Sequence, residues 1–434
     1  MLSLLQLSII VLAFVYHKNE AIAAFVPPYT SIVVPVTKHT DAVKPLYSVE
    51  IMTKYINMQF MHANFLIDID APFIWHYCIL QWNPTPGSCP TNTLCTYPVS
   101  CEEYQCTDVR TIYSYKNPSC PPVTNSSTLP GWGYCTCPVN VVDPISGSCS
   151  QALLNYDDFT VNTSNGKSIF TGLYGANPNA ACASTSTFQS FPANVNGVMA
   201  FSSSPYVLPA YLYQPLKRSL ALCLPSNPST PGVLFFGAGP YYLLPQSDVD
   251  VRSLLSYTPL LKYPGSFGYF IGVNSIVIRR RSIDLPLNST TKLSTIEPYT
   301  TLRTDIYNRL VDILSIYTFG IPRARPVTPF GLCFRTFTRY ILMQVPDIDL
   351  ILPNGKKWTI ATANSIKQLT RDVACLAFVD GGMAAEHAIV IGTFQFEDNF
   401  LEFDLENSTF GFSSSLLRRQ TSCANFNFTL INTS

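Results

Sequence analysis

Residues 65–78 read FLIDIDAPFIWHYC, which sets two aspartates, Asp68 and Asp70, in an apolar and aromatic run. An ionised carboxylate in a protein interior must be paired or otherwise solvated, so this strand asks for a chemical reason. On a regular strand the two side chains share a face, yet residues two apart cannot oppose each other across a substrate. Alone they make a poor acid and base pair. Three readings stay open for Asp68: half of a carboxyl pair completed from elsewhere, a buried hydrogen-bonded structural acid, or a strand residue beside a ligand cleft.

Around this stretch, short runs of Thr, Val, Ile, Tyr and Phe alternate with Pro, Gly, Ser and Asn, as in YFIGVNSIVI and VLFFGAGP, and 34 prolines are scattered through the turns. That is a pattern of strands and hairpins. The clearest helix candidate is TDIYNRLVDILSIY (304–317), with Ile306, Leu310, Leu314 and Tyr317 on one face and Thr304 placed to cap its start. The chain is expected to be mostly β with minor helices. At 434 residues it exceeds one ordinary core, so two lobes are expected. The turn-rich stretch 222–250 suggests lobes over 25–247 and 248–434.

Each expected lobe holds one apolar-flanked segment of similar flavour, NFLIDIDAPFIW in the first and TKLSTIEPYTTL (291–302) in the second. Here the chain resembles pepsin-like aspartic proteases, in which each lobe supplies an apolar-Asp-Thr/Ser-Gly loop. In that family the two aspartates share one proton to activate water, because their mutual repulsion keeps one protonated and one ionised. Asp68 matches the first aspartate, but Asp70 stands at the glycine place. In the second segment Ser294 takes the aspartate's place and Ile296 the glycine's. A serine hydroxyl does not ionise at physiological pH, so no catalytic residue is expected. The resemblance makes Asp68 a structural remnant held by its own loop.

Within that fold family the chain resembles a plant group comprising extracellular dermal glycoproteins, xyloglucan endoglucanase inhibitors, nectarin IV, cereal xylanase inhibitors and 7S basic globulins. The matching stretches are TKLSTIEPYTTLRTDIY, TPFGLCF (328–334), VACLAFVDGG (373–382), IVIGTFQFEDN (389–399) and SCANFNFT (422–429). The resemblance implies a secreted, proteolytically inactive inhibitor of microbial endoglucanases that acts in plant defence. Two inhibitory loops follow from it. One carries Arg323 with Arg325 nearby; the other corresponds to Gln420, with Arg418 and Arg419 directly upstream. Rival readings are a xylanase inhibitor, a non-inhibitory cell-wall, storage or peptide-binding glycoprotein, and an active aspartic protease.

The remaining features agree with secretion. MLSLLQLSIIVLAFVYHKNEAIAA reads as a signal peptide over 1–24. All 14 cysteines follow it, and nine crowd together: Cys78, Cys89, Cys95, Cys101, Cys106, Cys120, Cys135, Cys137 and Cys149. With Cys182, Cys223, Cys333, Cys375 and Cys423 they form an even set expected to pair as disulfides in an oxidising compartment. Cys135-Thr136-Cys137 lacks the spacing and histidines of a zinc site, so no metal and no cofactor is expected. Sequons stand at Asn125, Asn162, Asn288, Asn407, Asn427 and Asn432.

Lys plus Arg equals Asp plus Glu at 27 each, which argues against a nucleic-acid partner; no membrane association is expected, and a monomer is. IVIRRRSID (276–284) reads as a hairpin whose arginines keep a β surface soluble, in preference to the alternative of an interface. His62, His76 and His387 show no catalytic pattern and are expected to be structural.

Overall fold

The computed structural model describes residues 29–41, 44–54, 60–81, 90, 93–111, 120, 133, 135–212, 216–244, 248–287, 289–336 and 345–431. The expected leader, Cys89 and the sequons at Asn125, Asn288 and Asn432 lie outside them. Strands dominate, with helices few and short, in agreement with the turn-punctuated sequence.

In the first half, β1 (Ser31–His39), β2 (Leu46–Lys54) and β3 (Phe60–Asp68) run antiparallel in order, pairing Thr37 with Ser48 and Val49 with Phe65. β4 (Ile74–Tyr77) follows the two aspartates. The strand Val195–Ala200 inserts between β3 and β4. It is parallel to β3, with Ala200 opposite Asp68, and antiparallel to β4, with Val198 opposite Trp75. Asn179–Ala183 then lies parallel to β4.

The second half repeats this pattern. Thr291–Leu293 is parallel to Ile389–Ile391, which is antiparallel to Thr300–Leu302, which in turn is parallel to Phe378–Asp380. Asp68 ends the first strand of one unit and Ser294 follows the first strand of the other. Equivalent topology therefore carries the two residues that the sequence placed in register.

The halves are joined by antiparallel pairing. β1 pairs with Gly232–Phe236, which pairs with Ser219–Cys223. Ser219–Cys223 pairs with Phe400–Asp404, which pairs with Thr409–Phe412, and that strand pairs with Ser256–Pro259. A buried ion pair pins the same junction: Lys38 Nζ lies 2.7 Å from Glu397 Oε1, which also accepts from the Tyr47 hydroxyl at 2.8 Å.

The helix Thr304–Tyr317 matches the expected bounds, and Ile306, Leu310 and Leu314 are buried. Its start differs from expectation. Arg303 is the cap residue, with its guanidinium on Asp305 at 2.7 and 2.8 Å, while the Thr304 hydroxyl donates to Asp380 Oδ1 at 2.6 Å. Thr304 is already the first helical residue rather than the cap, and its hydroxyl serves as a donor to the Asp380 carboxylate.

Six disulfides appear among the described residues: Cys78–Cys182, Cys101–Cys135, Cys106–Cys137, Cys120–Cys149, Cys223–Cys423 and Cys333–Cys375. Cys95 is disulfide-bonded as well. The described members of the crowded first-half set, all but Cys89, are thus stapled, in line with the oxidising reading.

Candidate functional site

β3 buries its last four residues and delivers Asp68 to the floor of a cleft. The chain then bends, and Asp68 Oδ1 accepts the backbone N–H of Asp70 at 2.8 Å; the N–H of Ala71 also bonds this carboxyl. Burial, and secondarily the charge of Asp70, push the Asp68 carboxyl up to about 6, against the opposing pull of those N–H groups and of Lys292.

Ser294 does the equivalent backbone work. Its Oγ accepts from the N–H groups of Ile296 at 3.2 Å and Glu297 at 3.0 Å, residues two and three positions on, as Asp70 and Ala71 are from Asp68. The serine keeps the loop-holding half of an aspartate's role and lacks the ionising half. Next to it, the Thr295 hydroxyl reaches across to β3, donating to Ile67 O at 2.8 Å and accepting from Ile69 N at 3.2 Å. Ile69 has no hydroxyl with which to return the contact.

Asp70, at the glycine place, is also used. Its carboxylate forms an ion pair with Lys292 and accepts from Ser266 Oγ at 3.0 Å. Gly268 makes room for it: a Cβ there would stand 2.2 Å from Asp70 Oδ1. Asp70 therefore ties the first half to two segments of the second across the cleft.

The cavity of about 600 Å³ is lined by Asp68, Asp70, Ser294 and Ile296 together, so the four degenerate positions read from sequence do converge. Lys292 and Ser266 also line it and were not singled out. A signal existed for Lys292, since it stands between buried Thr291 and Leu293 in TKLST and so faces the opposite side of its strand. His387 borders the same cavity but is occupied structurally, bonded to Thr290 Oγ1 at 2.9 Å. His76 is buried against Asp157, and exposed His62 pairs with Glu50 at 2.8 Å.

The arginines lie elsewhere, and neither expected inhibitory loop lines this cavity. Arg323 begins the short strand Arg323–Ala324 and pairs with Phe334. Its guanidinium lies 4.8 Å from the Phe334 ring centroid and donates to Ser315 O at 3.3 Å. Arg325, two residues on, is exposed. In the other loop Arg418 is held by both carboxylate oxygens of Asp347 at 2.7 Å. Arg419 closes the turn Leu416–Arg419, and Gln420 ends it in the left-handed region at φ 58°.

Two family models match the chain that carries this duplicated strand unit, Xylanase inhibitor N-terminal over residues 51–238 and Xylanase inhibitor C-terminal over 268–414. The chain belongs to the xylanase-inhibitor family. Among relatives of this family member, gamma conglutin 1 of Prunus dulcis is 35% identical across 98% of this chain and 95% of that protein. The probable aspartic proteinase GIP2 of Nicotiana benthamiana is 32% identical across 92% of each. The crystal structure of EDGP superposes with a TM-score of 0.77 at 31% identity, covering 92% of this chain and 98% of that one. The mostly β, two-lobed pepsin-like fold and the plant inhibitor group read from the sequence are thus both borne out.

Proposed function

We propose that this xylanase-inhibitor family member is a secreted, proteolytically inactive protein that blocks the cleft of microbial cell-wall-degrading glycosidases, xyloglucan-specific endoglucanases in particular, in plant defence. Inactivity follows from Ser294. Its hydroxyl cannot share a proton with Asp68, and it is already engaged by two backbone N–H groups. The observation that carries the inhibitory reading is Arg325, exposed in a segment where Pro326, Val327, Thr328 and Pro329 are exposed too. A glycosidase cleft holds two carboxylates, and a guanidinium meets both their charge and their planar geometry.

The repeated four-strand unit supports a division into lobes over 25–247 and 248–434, after a leader over 1–24. The disulfides support passage through an oxidising compartment. Among the described sequons, Asn407 and Asn427 are exposed, whereas Asn162 is half-buried within the strand Phe159–Ser164. Glycopeptide mapping of secreted protein should find glycan at Asn407 and Asn427 and little at Asn162.

The deciding experiment mixes the purified protein with a panel of fungal and bacterial endoglucanases and xylanases and follows release of reducing sugar. Absence of slowing at micromolar protein across the panel would refute the reading. Arg325→Ala should weaken inhibition about 30-fold, as loss of a central interface arginine does, with unchanged thermal stability. Arg323→Ala should weaken inhibition and also lower the melting temperature, because that guanidinium packs on Phe334 and bonds the helix end.

A further inference from the structure

We infer that the arginine hairpin at 279–281 and the apolar knob at Ile316 and Phe319 form one docking face with Arg323 and Arg325, and that this face fits the acidic, aromatic-lined cleft of a glycosidase. The inference rests on the inhibitory reading and extends it to residues outside the two expected loops.

Three elements meet at the end of one helix. The hairpin of Ser275–Ile278 and Arg281–Asp284 turns at Arg279 and Arg280, as the sequence suggested. The Arg279 guanidinium lies 5.0 Å from the ring centroid of Tyr317. From the other side, Arg323 donates to Ser315 O at 3.3 Å. Between these contacts the helix ends, and its last turn and the residues beyond it present Ile316, 54% exposed, and Phe319, 92% exposed.

A helix C-terminus favours nearby cations, which accounts for Arg279 and Arg323. It does not account for Arg280, Arg281 and Arg325, which are exposed and have no carboxylate partner among the described residues. The hairpin, the second half of the helix and residues 318–325 together carry two carboxylates, Asp284 and Asp312, against five guanidinium groups, those of Arg279, Arg280, Arg281, Arg323 and Arg325. Asp284 already accepts from Ser282 at 2.9 Å. This surface is strongly basic in a chain whose net charge is zero.

Solubility alone does not explain an exposed phenylalanine two residues beyond Tyr317, the ring on which Arg279 rests. Arginine around a protruding aromatic is instead the composition of interface hot spots. Arg279 also adopts φ 53°, a left-handed conformation costly for a side chain of this size, which fixes the direction of the hairpin tip. The partner with complementary chemistry has carboxylates at its centre and apolar walls around them, as a glycosidase cleft does.

The test uses the full chain and whichever panel enzyme the wild type inhibits most strongly. Arg280→Glu/Arg281→Glu should slow association at least tenfold at low salt, and the deficit should shrink as ionic strength rises. Phe319→Ala should raise the dissociation rate about tenfold with little salt dependence. The milder Arg280→Ala/Arg281→Ala pair should fall between, which separates a charge effect from misfolding. If Arg325→Ala weakens inhibition while the hairpin and Phe319 variants change neither rate, the extended face is wrong and the inhibitory reading stands. If the wild type inhibits no enzyme, the reading fails and the inference falls with it. Loss of retention on immobilised polygalacturonate without change in inhibition would assign the face to an acidic polysaccharide and overturn the inference.

Discussion

Asp68→Asn should stabilise the protein at pH 8 by about 2–3 kcal/mol and leave it nearly unchanged at pH 3. The Asp68 carboxyl sits at about 6 in the folded state against an ordinary 3.8, and each pH unit of difference is worth about 1.4 kcal/mol. The folded state holds this proton more tightly than the unfolded chain does. Its contribution is therefore fully favourable below the ordinary value and is lost as pH rises through about 6. Above that, the native state carries an ionised carboxylate in a largely desolvated place. Asparagine keeps the oxygen that accepts the Asp70 N–H and removes the charge, while its NH₂ group must find a partner, which trims the gain. Urea unfolding of both proteins at pH 3, 5 and 8 checks this; a stability difference that does not vary with pH would show that Asp68 is not the titrating group.

Ser294→Asp should do the reverse, costing about 3–5 kcal/mol at pH 8. A carboxylate can accept the N–H groups of Ile296 and Glu297 that the serine oxygen accepts now, so the loop itself should persist. The added charge, however, enters a cleft that already holds Asp68 and Asp70, and an uncompensated charge in such a place is strongly destabilising. The two new neighbours would titrate as a coupled pair, moving the stability maximum to acid pH. Proteolysis of denatured haemoglobin should stay at the wild-type background, because Asp70, held by Lys292 at the glycine place, leaves a third carboxylate in the cleft beside the restored pair. Pepstatin-sensitive cleavage by this single variant would show that Ser294 alone had silenced the site.

The sequence made the large features readable because they repeat. Two apolar segments with a polar residue at the same place, Asp68 and Ser294, marked the duplicated unit, and the spacing of Ile306, Leu310 and Leu314 marked the helix. Side-chain pairings over long separations were not readable. Asp70 meets Lys292 and Ser266 only through the closure of two halves, and Arg418 meets Asp347 only because a turn near the C-terminus folds back. Thr304 shows the same limit on a small scale: its local capping propensity was plain, yet the helix begins on it, one residue after its cap, and its hydroxyl donates to a distant aspartate.

Lys292 could have been suspected on electrostatic grounds. The first degenerate motif carries a negative charge two residues after Asp68, and the second, besides Glu297, a positive charge two residues before Ser294; opposite charges in pseudo-equivalent loops invite each other. Arg323 and Arg325, both legible and both exposed, turn out to differ in kind: one rests on the Phe334 ring and bonds the helix end, and the other has no such contact among the described residues.

The antiparallel junction has a consequence for biogenesis. Ser219–Cys223 has a partner on one side as soon as Gly232–Phe236 exists, but its other partner is Phe400–Asp404. During synthesis the first half must wait with that strand's backbone donors and acceptors unpaired until nearly the whole second half has left the ribosome. An open edge of this kind is a template for wrong association, so a chain truncated before residue 400 should aggregate rather than accumulate as a soluble half-molecule. Strands far along the chain, from residue 400 on, are those that complete the first half's sheet.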